Sequence, residues 1–243
     1  MKMQHMFKYF ISISLLFVFV DGFSQEQEVK ENSKTPATVQ DSIAYKSAYG
    51  FRLGIDLSKP IKSFTDTSYN GFEIVGDYRI SKKFYVAAEV GFEEKNTVED
   101  VSNSTARGSY IRLGLNLNAY ENWLDMNNEI TVGYRYGFSL FEQTLNSYTP
   151  NVNSTYFPSN IIIDPVTTTG LNAHWSEIVV GVKVETLPNL FISFSGSYKV
   201  LMAVKDPENF KSLYAPGFNR IFESSTGFGF NYTVSYLIPF SKK

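Results

Sequence analysis

The chain has 243 residues, with 22 Lys and Arg against 24 Asp and Glu, and it contains no cysteine. A near-neutral balance without a basic block argues against nucleic acid as a partner. The lack of cysteine excludes a disulfide framework, a thiol-linked lipid anchor and catalysis by a thiol.

The N-terminal residues have the pattern of a secretion signal. A basic, polar start with Lys2 and Lys8 precedes an apolar run from Phe10 to Val20. This run is shorter than the roughly 20 residues that a membrane-spanning helix needs. The following residues are mixed in charge and poor in aromatics, which is typical of a flexible segment. We therefore expect a signal peptide at 1–24, a flexible periplasmic tail at 25–48 and a single domain at 49–243.

Apolar and polar residues alternate along eight segments beyond this tail. In the clearest one, every second residue from Phe228 to Ile238 is large and apolar, while most residues between them are small or polar. A period of two indicates a β-strand with one apolar face. The predicted strands are Tyr49–Leu57, Phe72–Ile80, Phe84–Glu94, Ser109–Tyr120, Asn128–Leu145, Ser176–Thr186, Leu190–Val200 and Ser225–Phe240.

The connections between these strands alternate in length. Long connections at 58–71, 95–108, 146–175 and 201–224 alternate with short ones at 81–83, 121–127 and 187–189. Outer-membrane barrels combine an even strand number with short periplasmic turns, long external loops and aromatic girdles, and aromatics make up 16% of this chain. The sequence therefore predicts an all-β fold: an eight-stranded antiparallel transmembrane β-barrel with up-and-down topology in the bacterial outer membrane. Its tail and C-terminus would be periplasmic.

The residue types on the two strand faces indicate which face points inward. Frequent glycines on the polar face suit the interior of an eight-stranded barrel, which side chains fill. Aromatic residues on the apolar face suit a membrane interface. We therefore expect the apolar face to contact lipid, and the expected interface anchors are Tyr49, Tyr78, Tyr134, Tyr136, Tyr198 and Tyr236. The alternative is a secreted lipocalin-like barrel whose apolar face lies inside.

Charged residues of the polar face are then predicted to line the barrel interior. They are the basic residues Arg52, Arg79, Arg112, Arg135, Lys183 and Lys199 and the acidic residues Asp56, Glu73, Asp77, Glu89, Glu93, Glu177 and Glu185. The near balance of the two signs favours mutual neutralisation in a closed core, because an unpaired buried charge is costly. A conducting pore, for which a ring of one sign is expected, is the alternative.

Groups suited to catalysis are few beyond the predicted signal peptide. This region has one histidine, His174, which excludes a two-histidine metal site, and we expect no metal or cofactor. His174 and Ser176 share the lipid-facing side of a predicted strand entry. The pair resembles the site of outer-membrane lipid A deacylases, in which a serine attacks a lipid ester with histidine as base. The favoured interpretation is an interfacial anchor formed by His174 and Trp175, and the esterase is the alternative.

Four segments carry a further resemblance, at 50–60, 71–80, 119–124 (Ala-Tyr-Glu-Asn-Trp-Leu) and 170–175 (Gly-Leu-Asn-Ala-His-Trp). Through them the region after the signal peptide resembles an uncharacterised family of small outer-membrane proteins from Bacteroidota. The resemblance implies the barrel and the compartment. It supplies no catalytic motif that could be transferred to this chain.

A closed barrel with little catalytic chemistry is expected to act through its surface. The 146–175 connection is unusually apolar, and its candidate partner contacts are Tyr156, Phe157, Ile161, Ile162 and Ile163. We therefore predict a non-catalytic structural or accessory subunit of a larger outer-membrane complex, with the outer-membrane protein assembly machinery as the specific hypothesis. The alternatives are a surface adhesin or receptor acting through its loops, and a lipid A-modifying esterase using His174 and Ser176. Expected partners are membrane lipids, lipopolysaccharide and membrane proteins.

Overall fold

The computed structural model describes residues 48–120, 127–150, 160–208 and 210–242. The predicted signal peptide and all but the last residue of the predicted tail lie outside these ranges. In chain order the elements are β1 (Ala48–Asp56), α1 (Ser58–Thr65), β2 (Tyr69–Arg79), β3 (Phe84–Glu99), β4 (Ser102–Asn118), β5 (Glu129–Tyr148), β6 (Val166–Leu187), β7 (Leu190–Val204), β8 (Tyr214–Ala215), β9 (Asn219–Arg220) and β10 (Thr226–Lys242). No helix in this part of the chain is long and apolar enough to cross a bilayer.

The eight long strands form one antiparallel sheet that closes into a ring, in the order β1-β10-β7-β6-β5-β4-β3-β2. The strand tilt follows from the pairing register. Starting at Tyr236 on β10 and moving from each residue to its partner on the next strand, the path around the ring returns to β10 at Thr226, ten residues from the start. Such an offset means that the strands are tilted relative to the ring axis. The predicted all-β fold with eight antiparallel strands is confirmed, and insertion into a membrane stays a prediction.

The polar face of each strand points into the ring and the apolar face points out. On β4, Arg112 is 3% exposed, whereas Leu113 and Leu115 are about half exposed on the outer surface. The outward residues form a continuous band, which we call the outer apolar belt. It consists of Phe51, Leu53, Ile55, Phe72, Ile74, Tyr78, Phe84, Val86, Val90, Phe92, Ile111, Leu113, Leu115, Leu117, Ile130, Val132, Tyr134, Tyr136, Ile178, Val180, Val182, Val184, Phe194, Tyr198, Val200, Phe228, Phe230, Tyr232, Tyr236 and Ile238.

Strands β3–β6 extend further toward one end of the ring than the sequence predicts. The predicted long connection at 95–108 is wrong, because β3 continues to Glu99 and β4 begins at Ser102 after a two-residue turn. On the same side of the ring, β5 continues to Tyr148 and β6 begins at Val166, so His174 and Ser176 lie within a strand and not at its entry.

Polar outward residues explain why these extensions were missed. In the extended ends, polar residues occupy the outward positions that apolar residues occupy in the rest of each strand. Examples are Glu94 on β3, Arg107 on β4 and Glu142 on β5. The period of two in hydrophobicity is therefore lost, although the strand pairing continues. We call these ends of β3–β6, which reach beyond the outer apolar belt, the projecting sheet.

Two connections on that side, which we call the loop end, fold toward the ring axis. One contains α1 and the other, between β7 and β10, contains the small β8–β9 hairpin. Residues 214–218 of this hairpin are all buried. Gly217 has a φ of +81°, and a Cβ there would lie 2.5 Å from Cγ of Tyr110. Glycine is therefore required at this position both for backbone conformation and for space. We call residues 214–218 the plug.

Candidate functional site

Arg112 is the centre of an ion cluster in the middle of the ring. Its Nη2 lies 2.6 Å from Oε1 of Glu73, its Nε lies 2.8 Å from Oε2 of Glu89, and its Nη1 lies 3.3 Å from Oε2 of Glu177. The contact with Glu89 is ionic only, since Nε finds no acceptor with hydrogen-bond geometry. Arg135 reaches the other oxygen of Glu89 at 3.2 Å. Five of the predicted interior residues therefore contact one another directly.

A second ion cluster lies toward the opposite end of the ring, which we call the turn end. Nη1 of Arg52 is 2.6 Å from Oε1 of Glu129, and its Nε is 2.5 Å from Oδ1 of Asp77. Lys183 approaches the second oxygen of Asp77 at 2.5 Å. The guanidinium of Arg52 also lies near the rings of Tyr85 and Phe191, with Cζ to centroid distances of 4.8 and 5.1 Å.

Four more of the predicted interior residues make other contacts, and Glu93 is described below. Asp56 accepts from the backbone N–H of Ser58 and from the side chain of Asn231. Arg79 donates to the carbonyl oxygens of Ser81 and Lys82, at the edge of the turn end. Glu185 accepts from the side chain of Asn127 and the backbone of Asn189. Lys199 donates to the carbonyl oxygen of Gly217 at 2.6 Å and lies 3.7 Å from Glu177.

Two charged residues of the interior, Glu129 and Lys59, are not among the predicted ones. Glu129 opposes the outward Ile130 on β5, so strand alternation could have placed it inside. Lys59 lies on α1, in a segment predicted as a loop, and no sequence signal indicated that its side chain enters the ring. The plug was missed for the same reason.

Glu93 joins both inward-folded connections to the ring wall. Its carboxylate accepts from Nζ of Lys59 at 2.5 Å, the hydroxyl of Tyr69 at 2.9 Å, the hydroxyl of Tyr214 at 2.6 Å and the backbone N–H of Gly217 at 2.9 Å. The ammonium group of Lys59 forms a buried ion pair with this carboxylate. Burial and the Glu93 charge raise the pKa of the Tyr214 hydroxyl. Lys59 is therefore paired with a carboxylate, and Tyr214 is a neutral donor.

Aromatic layers close both ends of the interior. At the loop end, Phe218 of the plug packs edge-on against Trp175, with 6.0 Å between ring centroids. Their cluster also includes Tyr110, Phe141, Leu171, Ala173 and Ala215. At the turn end, Tyr85, Phe191 and Leu237 are at most 6% exposed. The prediction that Trp175 is an interfacial anchor is wrong, because strand parity places it inside, where its Nε1 donates to Glu177.

A cavity of about 70 Å³ lies between the two ion clusters. Its lining includes Arg52, Asp77, Arg112, Arg135 and Lys183. A cavity of this size has room for a few water molecules. Pockets for small organic ligands are typically about 300–1,000 Å³. The described residues therefore fill the interior with their own side chains, and the cavity among them has no space for an organic substrate.

His174 and Ser176 lie on the outer surface of β6, and each bonds to a tyrosine of β5. Nδ1 of His174 is 2.7 Å from the hydroxyl of Tyr136, and Oγ of Ser176 is 2.9 Å from the hydroxyl of Tyr134. The acidic residue that follows Ser176, Glu177, points into the ring and is 1% exposed. The arrangement therefore lacks the serine-to-histidine bond and the orienting carboxylate of a hydrolytic triad.

The described residues contain no group of three or more His, Asp or Glu side chains that could hold a metal ion. Of the predicted partner contacts, Tyr156 and Phe157 lie outside these residues. Ile161 and Ile163 are exposed, at 66% and 78%. Ile162 forms an isolated antiparallel bridge with Tyr148, through hydrogen bonds of 2.8 and 3.1 Å.

No curated protein matches this chain. A family model described as a domain of unknown function, DUF6048, matches residues 6–243, which is nearly the whole length. The chain therefore belongs to the DUF6048 family.

Proposed function

We propose that this protein is an integral outer-membrane barrel that does not conduct and that serves as a structural or accessory subunit of a larger membrane complex. The observation that carries the proposal is the combination of an apolar outer surface with an interior that is closed at both ends. In the two ion clusters inside the ring, acidic and basic side chains pair with one another, which disfavours the binding of a transported ion there.

The outer apolar belt supports a membrane location. A soluble protein rarely exposes a contiguous apolar patch larger than a few hundred Å². Here such residues surround the ring, and on β3 (84–92) and β10 (228–238) the outward apolar positions span the length typical of transmembrane strands, about 9–11 residues. The resemblance to Bacteroidota proteins adds the outer membrane as the compartment. In this orientation the loop end faces outward, and β1 begins at the periplasmic side.

An apolar surface beyond the belt is the candidate contact with other subunits. Val98 and Val101 at the β3–β4 turn are 70% and 60% exposed, comparable with Ile161 and Ile163. The two segments are neighbours, because Tyr148 pairs with Ser102 on one side and with Ile162 on the other. We call Val98, Val101, Ile161 and Ile163 the apolar tip. Exposed apolar side chains in this position favour protein contact, since they lie above the lipid.

The same tip also supports the second candidate function, a surface adhesin or receptor. A projecting sheet with an apolar end could bind an external ligand as well as a membrane protein. In the first function the partner is another protein of the outer membrane, whereas in the second it is a ligand from outside the cell. The assembly machinery for outer-membrane proteins remains the specific form of the first function, in which the partners would be proteins that fold other barrels.

Co-purification from native membranes separates these functions. Tagged wild type, the double variant Ile161→Ser with Ile163→Ser, and the control Leu187→Ser are extracted in mild detergent, and bound proteins are identified by mass spectrometry. Leu187 is 62% exposed at the turn end, so it matches the tip residues in exposure but not in position. We expect a defined set of outer-membrane proteins with wild type and control, and its loss with the tip variant. An identical set with all three proteins would contradict the role of the tip, and no membrane partner together with tip-dependent binding of an external ligand would favour the adhesin.

A further inference from the structure

The ring wall is incomplete beside β1 at the loop end. The last pair between β1 and β10 joins Asp56 to Thr233, and the last pair between β1 and β2 joins Ile55 to Ile74. Above these pairs, β10 continues from Tyr232 to Thr226 with β7 as its one paired strand, and β2 continues from Glu73 to Tyr69 paired with β3. The two strands therefore face each other across a gap in the sheet, which we call the wall notch.

Helix α1 and its flanking residues cover the edges of this notch. The backbone N–H of Leu57 donates to the carbonyl oxygen of Tyr232 at 2.7 Å. The N–H of Tyr232 donates to Oδ1 of Asp56 at 3.0 Å, and the N–H of Gly71 donates to Oγ of Ser63 at 3.0 Å. Backbone groups left without partners in hydrocarbon are costly. These contacts satisfy three such groups along the two strand edges.

The polarity of α1 is opposite to that of a helix on a soluble protein. Its lysines face the ring: Lys59 is buried against Glu93, and Nζ of Lys62 lies 4.0 Å from the ring centroid of Tyr69. Its large apolar side chains face away, with Ile61 54% and Phe64 89% exposed. A surface helix in water normally has its apolar stripe toward the core and its charges outside.

The outward side of α1 lies between apolar positions of the neighbouring strands. Outward-facing Phe72 on β2 and Phe230 on β10 belong to the outer apolar belt, and they flank the notch that α1 covers. The helix therefore continues the belt across the place where β1 stops.

The geometry points to α1 as a segment of the lipid-facing wall, in which Ile61 and Phe64 contact the acyl chains of the surrounding membrane. This inference rests on the proposed membrane location. A wall segment between lipid and a polar core is expected to have charged side chains on its inner side and apolar side chains on its outer side. The lysines and the apolar residues of α1 are arranged in this way. Without α1, the unpaired edges of β2 and β10 would meet lipid directly.

Single-cysteine spin labelling of the full chain in lipid vesicles tests this, because the protein has no cysteine of its own. Nitroxides are attached at Phe64→Cys, at Val90→Cys in the belt and at Val98→Cys on the apolar tip. Collision with oxygen, which concentrates in lipid, is compared with collision with a water-soluble nickel complex. Migration before and after heating verifies that each variant is folded. We expect the label at 64 to match the label at 90, with high oxygen and low nickel accessibility, and the label at 98 to show the opposite.

The outcomes separate this inference from the function on which it rests. A label at 64 that is as accessible to nickel as the label at 98, while the label at 90 is protected, places α1 in water and overturns the inference alone. A label at 90 that is itself accessible to nickel overturns the membrane location. A label at Ile61→Cys serves as a second position on the same helix face and must agree with the label at 64.

Discussion

Nζ of Lys59 lies 2.5 Å from Oε1 of Glu93, and this ion pair ties a loop helix to the wall of the ring. Glu93 is fully buried and also accepts from the plug through Tyr214 and Gly217. One carboxylate therefore fixes two connections that are far apart in the chain.

Replacing Glu93 should consequently destabilise the loop end. Glu93→Gln removes the negative charge and leaves Lys59 as a buried cation without compensation, which typically costs about 3–5 kcal/mol. Urea unfolding in detergent micelles would show a lower midpoint. Glu94→Gln, on the outer face one residue along, is the matched control and should have little effect. Equal midpoints for the two variants would contradict the central role of Glu93.

The apolar outer face gives a second prediction. Leu115→Arg places a charge in the middle of the outer apolar belt and should cost roughly 2–4 kcal/mol, the range for arginine at a bilayer midplane. Asn116→Ala changes the adjacent inward residue and should not affect compatibility with lipid. Abundance in the outer membrane and heat-modifiability of the folded form report the difference. Equal behaviour of both variants would argue against a lipid-facing belt.

The closed interior predicts the absence of conductance. Purified wild type inserted into planar bilayers should stay silent, because aromatic layers seal both ends and the charges between them are paired. The same layers should keep the interior impermeable over a range of applied voltages. A stable, ion-selective current would contradict the closed interior.

The orientation in the membrane predicts which sites are accessible on intact cells. A membrane-impermeant maleimide should label Asp206→Cys and Asp100→Cys at the loop end. It should not label Lys82→Cys or Pro188→Cys in the turns at the other end, until the cells are permeabilised. All four positions lie outside the outer apolar belt, so differences report the side of the membrane. The reverse labelling pattern would invert the proposed topology.

Replacement of the outward-facing His174 distinguishes an accessory subunit from an esterase. A histidine-dependent hydrolase typically loses about 100- to 10,000-fold in rate when the base is removed. His174→Ala and Ser176→Ala should therefore leave the lipid A acylation pattern unchanged if these residues only bond to Tyr136 and Tyr134. Tyr136→Phe, which removes the same hydrogen bond without removing the imidazole, is the control. An acyl-chain change that wild type produces and both alanine variants lose would establish the esterase.

Alternation along the chain determined the eight strands and their two faces, because a period of two is a local property that every strand displays. It also placed Arg112 on the inner face and Leu115 on the outer face. It did not reveal the upper parts of β3 and β4, where both faces are polar and hydrophobicity no longer follows the backbone. Those strands exist because paired backbone groups continue to bond one another.

The contacts that close the loop end of the interior were decided by the tertiary structure alone. The bond from Gly217 to Glu93 joins positions 124 residues apart, and the bond from Lys59 to Glu93 joins positions 34 apart. Trp175 shares a local segment with His174, yet it packs on Phe218 inside the ring. Such pairings depend on which connection reaches which part of the wall after the sheet has closed. A local sequence pattern carries no information about such long-range pairings.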